Sequence, residues 1–226
     1  MKAFLLFLVL GGLMGSCVKT PVSGNLDTNK FSYLALGDSY TIGESVKNSE
    51  RWPVQLVAKL KEKNIDFSEP KIIAKTGWTT DELIAAISKE SINQKFDMVS
   101  LLIGVNNQYR GRSSAVFVEE FKSLLQQAIG FSKNGKKGVF VVSIPDWGVT
   151  PFASGRDKES IAKQIDEFNS LSKSVCEKEG IVYVDITDIS RIPDPSLIAS
   201  DGLHPSGNMY AKWVERIFPT IIKNYE

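Results

Sequence analysis

From Phe31 onward, short apolar runs alternate with amphipathic stretches. The runs at 31–36, 71–75, 97–103, 138–144 and 181–186 are mostly continuous in apolar residues, as expected of parallel strands covered on both faces. Between them, apolar positions recurring at helical spacing predict helices over Trp52–Lys63, Thr80–Lys89, Ala115–Phe131 and Asp157–Glu179. A last helix should run from Ser206 to about Lys223, kinked at Pro219. Pro53 suits a first turn, Asp157 and Ser206 suit N-caps, and Gly180 follows a C-terminus. Strand and helix alternating in this way predict a three-layer α/β/α domain around a five-stranded parallel sheet, with no internal repeat.

That architecture says where chemistry should lie, because open parallel sheets present their sites at the carboxyl ends of the strands. The five loops there read GDSYTIGE, TGWTT, GVNNQYRGRSS, PDWGVTPFASGR and TDISRIPDPSLIASDGLHPSG. Asp38, Ser39, Asn106, Asp201 and His204 all fall in them.

A serine hydroxyl attacks a carbonyl only with a base to take its proton and a third group to orient that base. His204 is the chain's only histidine, and Asp201 lies three residues before it with Gly202 between to let the chain turn. Ser39 follows a strand and Gly37-Asp38, where a sharp strand-to-helix turn would expose its hydroxyl; the same position also suits a helix N-cap. Ser143, Ser154 and Ser200 fit turns or caps, and the spacing alone does not separate them from Ser39. Asp38 reads either as a second acid or as a turn brace accepting loop N–H groups. Trp78, Tyr109, Trp147 and Phe152 fall in the same loops, where they would flank an acyl or aryl group or simply pack.

LALGDSYTIGE, TGWTTDEL, LLIGVNNQ and SDGLHPSG, in this order, resemble the four blocks of the SGNH (GDSL) hydrolase family. The resemblance covers almost all of the chain after its N-terminal segment and implies a flavodoxin-like sheet. It also implies an esterase in which Ser39 is the nucleophile, His204 the base and Asp201 its orienting partner. Ser39 and Gly77 would give backbone N–H groups to the oxyanion, and Asn106 its side-chain amide. One position departs from the pattern: the family usually has aspartate after the block-three asparagine, and this chain has Asn107. The departure puts the rigidity of the Asn106 loop in question, not the reaction. Substrates within the family range over small acyl, aryl and lysophospholipid-type esters and acetylated carbohydrates. Acyl transfer would use the same residues, and a ligand-binding lipoprotein without turnover is the reading from another class.

The N-terminal residues change the picture of location. MKAFLLFLVLGGLMGSC has a basic start, an apolar run too short to span a bilayer comfortably and small residues before Cys17. Leu13–Cys17 resembles the lipobox of bacterial lipoproteins, so residues 1–16 are expected to be a signal peptide, Cys17 a lipidated terminus, and residues 17–30 a tether to a hydrolase domain at 31–226. The protein is then expected in the cell envelope, held to a membrane by its lipid. Cys176, the only other cysteine, falls on a helical apolar stripe and is expected in the core. A net charge of +1 with scattered lysines argues against nucleic acid. One histidine and two distant cysteines give no metal-ligand spacing, so neither metal nor cofactor is expected, and the chain is expected to act as a monomer.

Overall fold

The computed structural model describes Met1 and residues 30–225. The expected signal peptide, Cys17 and nearly all of the tether lie outside the described residues. Five strands, β1 (Tyr33–Gly37), β2 (Lys71–Ala74), β3 (Met98–Leu102), β4 (Val139–Val142) and β5 (Val182–Val184), form one parallel sheet in the order β2-β1-β3-β4-β5. The predicted three-layer, flavodoxin-like sheet is thus present, with each strand one to three residues shorter than its apolar run. The runs follow apolar character along the chain, whereas the strands include only residues paired in the ladder.

Among the described residues, eight helices connect and cover the strands: α1 (Ser39–Ile42), α2 (Trp52–Lys61), α3 (Thr80–Lys89), α4 (Val105–Tyr109), α5 (Ser114–Phe131), α6 (Lys158–Glu179), α7 (Thr187–Ser190) and α8 (Gly207–Ile221). α2 packs with α8, while α3 packs with α5 and α5 with α6, which makes the two outer layers. Asp157 and Ser206 cap α6 and α8 by accepting from Ser160 N–H and Met209 N–H, as their residue types suggest. Pro219 sits in the last full turn of α8, which ends two residues later and tightens into a 3₁₀ turn at Ile222–Asn224. The strand-to-helix turn expected at Ser39 is α1; α4 and α7, of five and four residues, were not predicted. They are too short for a helical period to register.

The core runs along both faces of the central strands. Leu34, Leu36, Val99, Leu101 and Leu102 are fully buried, as are Trp52 and Leu56 of α2 and Trp213 of α8. Replacing Leu36 by alanine would cost about 2–5 kcal/mol through lost burial and the cavity left behind. Tyr33 and Ser100, on neighbouring strands, share a buried hydrogen bond of 2.8 Å, whereas the indole N–H groups of Trp52 and Trp213 and the Thr41 hydroxyl have no partner among the described residues. Cys176 is buried on α6, and burial, with some help from Glu177, pushes its thiol up to about 12.

The register brings the functional loops together. Gly37, the last residue of β1, stands opposite Ala74 at the end of β2 and Leu102 at the end of β3. The loops after these three strands therefore start at one level. β1 is also where the strand order reverses, so the chain leaves β1 and β3 toward opposite faces and opens a crevice between them.

Candidate active site

Gly37 ends β1 because a side chain there would collide with the Thr41 hydroxyl and the Leu102 carbonyl, so only glycine lets α1 start directly on the sheet. Asp38 caps α1, its Oδ1 accepting the Tyr40 N–H at 3.0 Å. It is wholly buried and its Oδ2 has no protein partner. Desolvation outweighs the hydrogen bond and pushes its carboxyl up to about 7. This geometry is that of the turn brace. Ser39 is then the first residue of α1, on the crevice side.

Gly77 follows β2 with φ +86°, in the left-handed region. A Cβ there would have room, its nearest neighbour being Arg110 Nη2 at 3.6 Å. The glycine is required by backbone conformation, not by the close approach of another group. Arg110 fixes this turn by donating to the Gly77 carbonyl at 2.5 Å while its Nη1 meets Glu82 at 3.3 Å. Among the described residues, neither the Ser39 nor the Gly77 N–H has a protein acceptor.

Asn106 lies in the first turn of α4, after β3. Its amide nitrogen donates to the Trp78 carbonyl at 3.0 Å, which orients the group and leaves its second N–H for the cleft. Asn107 points the other way and is fully buried. Its oxygen accepts the Thr80 N–H at 3.0 Å and its nitrogen donates to the Thr80 hydroxyl at 2.6 Å; that hydroxyl in turn donates to Glu120. The residue that departs from the family pattern thus ties the α4 loop to the first turn of α3.

The loop before α8 carries His204 and Asp201. Asp201 Oδ2 lies 2.6 Å from His204 Nδ1, and Oδ1 accepts the N–H groups of Leu203 and His204 at 2.9 Å each. Partial burial pushes the Asp201 carboxyl up, but the Ser45 hydroxyl, the His204 ring and these two N–H groups together hold it well below the ordinary carboxylate range. The imidazole is mostly buried and meets the edge of Tyr40, ring centroids 5.8 Å apart.

Ser39, Gly77, Asn106 and His204 line one cleft of about 160 Å³, together with Tyr40, Thr76 and Val105. Tyr109, Trp147, Phe152 and Leu203 form its wall. Trp78, expected on this wall, is not among the lining residues: its ring packs half-buried against the core, and it serves Asn106 through its carbonyl. The Ser39 hydroxyl has no hydrogen-bond partner among the described residues, leaving the oxygen free in the unliganded cleft.

Sequence reasoning placed Trp147 and Phe152 on the loop after β4 but did not find what anchors that strap. Asp146, almost fully buried, accepts from Arg191 Nε at 2.9 Å and from Gly148 N–H at 2.8 Å. Asn169 of α6 grips Ile144 through both its N–H and its carbonyl. Trp147 is buried, its indole N–H bonded to Gln108 at 2.8 Å, whereas Tyr109 and Phe152 are exposed. The strap touches the histidine loop where Phe152 N–H donates to the Gly202 carbonyl at 3.0 Å. An asparagine inside a helical pattern was the one available signal, and such residues usually face solvent.

Residues 35–212 match the model of the GDSL-like lipase/acylhydrolase family. The chain belongs to that family. An acetylxylan esterase of Geobacillus stearothermophilus is 25% identical to this GDSL-like protein over 142 residues, 58% of this chain and 62% of that enzyme, so the match spans less than two thirds of the relative. Among solved structures, TesA superposes with a TM-score of 0.67 at 19% identity, covering 85% of this chain and 99% of its own. Axe2, an acetylxylan esterase from Geobacillus stearothermophilus, gives 0.65 at 18% identity over 84% and 94% of the two chains. At these identities the structural likeness concerns the fold. Among the described residues no cluster of three or more His, Cys, Asp or Glu could hold a metal, and no helix is long and apolar enough to cross a membrane.

Proposed function

We propose that this protein is a carboxylic ester hydrolase acting through an acyl-serine intermediate. The observation that carries the reading is a single cleft holding Ser39, an imidazole bonded to a carboxylate at 2.6 Å, and the Ser39, Gly77 and Asn106 donors. Ser39 Oγ attacks the ester carbonyl and its proton passes to His204 Nε2. Asp201 keeps the other ring proton on Nδ1 and stabilises the imidazolium. The carbonyl oxygen, now negative, is met by the N–H groups of Ser39 and Gly77 and the free N–H of Asn106. His204 returns the proton to the departing alcohol, then takes one from the water that releases the acid.

A volume of about 160 Å³ lies below the roughly 300–1,000 Å³ of pockets for drug-sized ligands. It suits small acyl or aryl esters better than a long chain. O-deacetylation of a carbohydrate fits the same limit, and the acetylxylan esterase relative favours it over lysophospholipid cleavage. We propose further that lipid on Cys17 holds the enzyme at a membrane of the cell envelope, on the lipobox-like run Leu13–Cys17.

Labelling with a fluorophosphonate tests the core of this reading. The probe should attach to Ser39, and Ser39→Ala should fold normally, resist labelling and hydrolyse neither 4-nitrophenyl acetate nor acetylated xylan. Attachment to Ser143, Ser154 or Ser200 would overturn the assignment.

A further inference from the structure

Arg156, one residue before the α6 cap, packs on the aromatic wall of the cleft without itself lining it. Its guanidinium carbon lies 5.3 Å from the ring centroids of Tyr109, Trp147 and Phe152 alike, and its Nη2 donates to the Tyr109 hydroxyl at 3.2 Å. Those three rings are the aromatic wall of the cleft, and they contact one another at centroid distances of 5.3–6.3 Å. The exposed arginine is therefore held by ring faces in a cation–π arrangement.

What the arginine lacks is a carboxylate. Arg110, Arg112, Arg191 and Arg216 each pair with an acidic side chain within 4 Å; Arg156, like Arg51 near α2, has no such partner among the described residues. No acidic side chain lines the cleft either. A planar fork of donors, pre-positioned by stacking and left unneutralised, is the arrangement that captures an anionic oxygen group. It would equally repel a cation from the cage it fills.

The strap also places this charge relative to the reaction. Phe152 is bonded to Gly202 in the histidine loop, so the wall adjoins the side from which His204 would protonate the departing alcohol. We propose that Arg156 forms an anion-recognition subsite for the alcohol portion of the substrate, selecting esters whose alcohol carries a carboxylate or phosphate. The proposal rests on the hydrolase reading for its orientation but not for the binding itself.

Three acetyl esters test it: phenyl acetate, 4-acetoxybenzoate and 4-acetoxyphenyl phosphate. The ratio of kcat/KM for an anionic ester to that for phenyl acetate should fall at least tenfold from the native protein to Arg156→Gln, mainly through KM. Arg156→Lys should keep part of the preference, as a point charge without the fork. Which anionic ester loses more tells carboxylate from phosphate. The native preference should weaken between low and high salt. An unchanged ratio for both anions would overturn the proposal, as would a gain of acetylcholine hydrolysis in Arg156→Gln without loss of anion preference, which would mark the cage as a cation site plugged by its own arginine.

Calorimetric titration of Ser39→Ala with the same esters separates the two readings. If the native protein hydrolyses none of the three esters but Ser39→Ala binds the anionic ones more tightly, and Arg156→Gln in that background removes the difference, the hydrolase reading fails and the anion subsite stands. Equal binding of all three esters would overturn the subsite whatever the chemistry.

Discussion

Ser45 donates its hydroxyl to Asp201 at 2.6 Å, on Oδ2, the same carboxylate oxygen that faces His204 Nδ1. Ser45 reaches this position from a backbone at φ +64°, a left-handed conformation that non-glycine residues seldom adopt. The two observations belong together: strain is tolerated where it aims a donor at the group that steadies the base.

Removing that hydroxyl is expected to lower kcat/KM by about 2–13-fold, the worth of one hydrogen bond of ~0.5–1.5 kcal/mol. Ser45→Ala and Ser45→Gly should lose activity equally, while the glycine variant should be about 1 kcal/mol more stable because it relieves the left-handed backbone. The hydroxyl also helps depress the Asp201 carboxyl, so stability from that ionised group is present above the unfolded value and lost as pH falls through the folded one. Both variants should move that loss to higher pH. If Ser45→Gly keeps native activity where Ser45→Ala does not, the backbone and not the hydroxyl is what matters.

Asn106 offers one N–H to the Trp78 carbonyl and the other to the cleft. Asn106→Ala should lower kcat by about 10²–10³, roughly 2.7–4 kcal/mol, with little change in KM, because the charge it meets exists only in the transition state. Steady-state kinetics on a soluble aryl ester would check this. A rise in KM at constant kcat would instead make Asn106 a uniform binding contact.

How much of this was legible in the sequence follows from what each kind of signal measures. Apolar runs marked all five strands: β1, β3 and β4 are buried on both faces, which leaves no solvent-facing position to interrupt them, while β2 and β5, at the edges, kept enough apolar residues to register although partly exposed. The loops gathering Ser39, Gly77, Asn106 and His204 were legible from strand order alone. Trp78 was misplaced because a loop assignment says which end of the sheet a residue occupies, not which way its ring turns. Ser45, Asp146 and Arg156 were missed for a related reason: each acts through a partner 45 or more residues away, Asp201, Arg191 and Tyr109 among them. No local pattern encodes such pairs.

Cys17 provides a separate test of location. Cys17→Ser should release the protein from membranes and leave its rate on soluble esters nearly unchanged, since Cys17 lies 16 positions before β1 in the sequence. Fractionation with Triton X-114 would show it, and a serine variant still found in the detergent phase would count against the anchor.

Asp38 should tilt the stability curve. Its carboxyl is raised from its ordinary 3.8 to about 7 in the fold, so between these values the folded chain holds more protons than the unfolded one. Stability from this group must then fall as pH rises through that window and level off above it. Asp38→Asn keeps an acceptor for the Tyr40 N–H and removes the charge, so urea unfolding from pH 4.5 to 8 should show a flatter profile than the native protein. An unchanged slope would mean that the buried carboxyl stays ionised throughout.

The departure at Asn107 has a physical reason in Glu120. The Thr80 hydroxyl has a single proton, which it gives to Glu120, and it accepts from the Asn107 amide in return. Asn107→Asp, the family's usual choice, would set a buried carboxylate oxygen against a hydroxyl whose proton points elsewhere. The expected cost is about 1–3 kcal/mol, that of a buried acceptor left without a donor. Glu120→Ala frees the hydroxyl to turn toward position 107, so in that background the cost of Asn107→Asp should fall to less than half. A double-mutant cycle by denaturant unfolding measures the coupling directly. Strict additivity would show that Thr80 does not link the two positions, and the asparagine would then need another explanation.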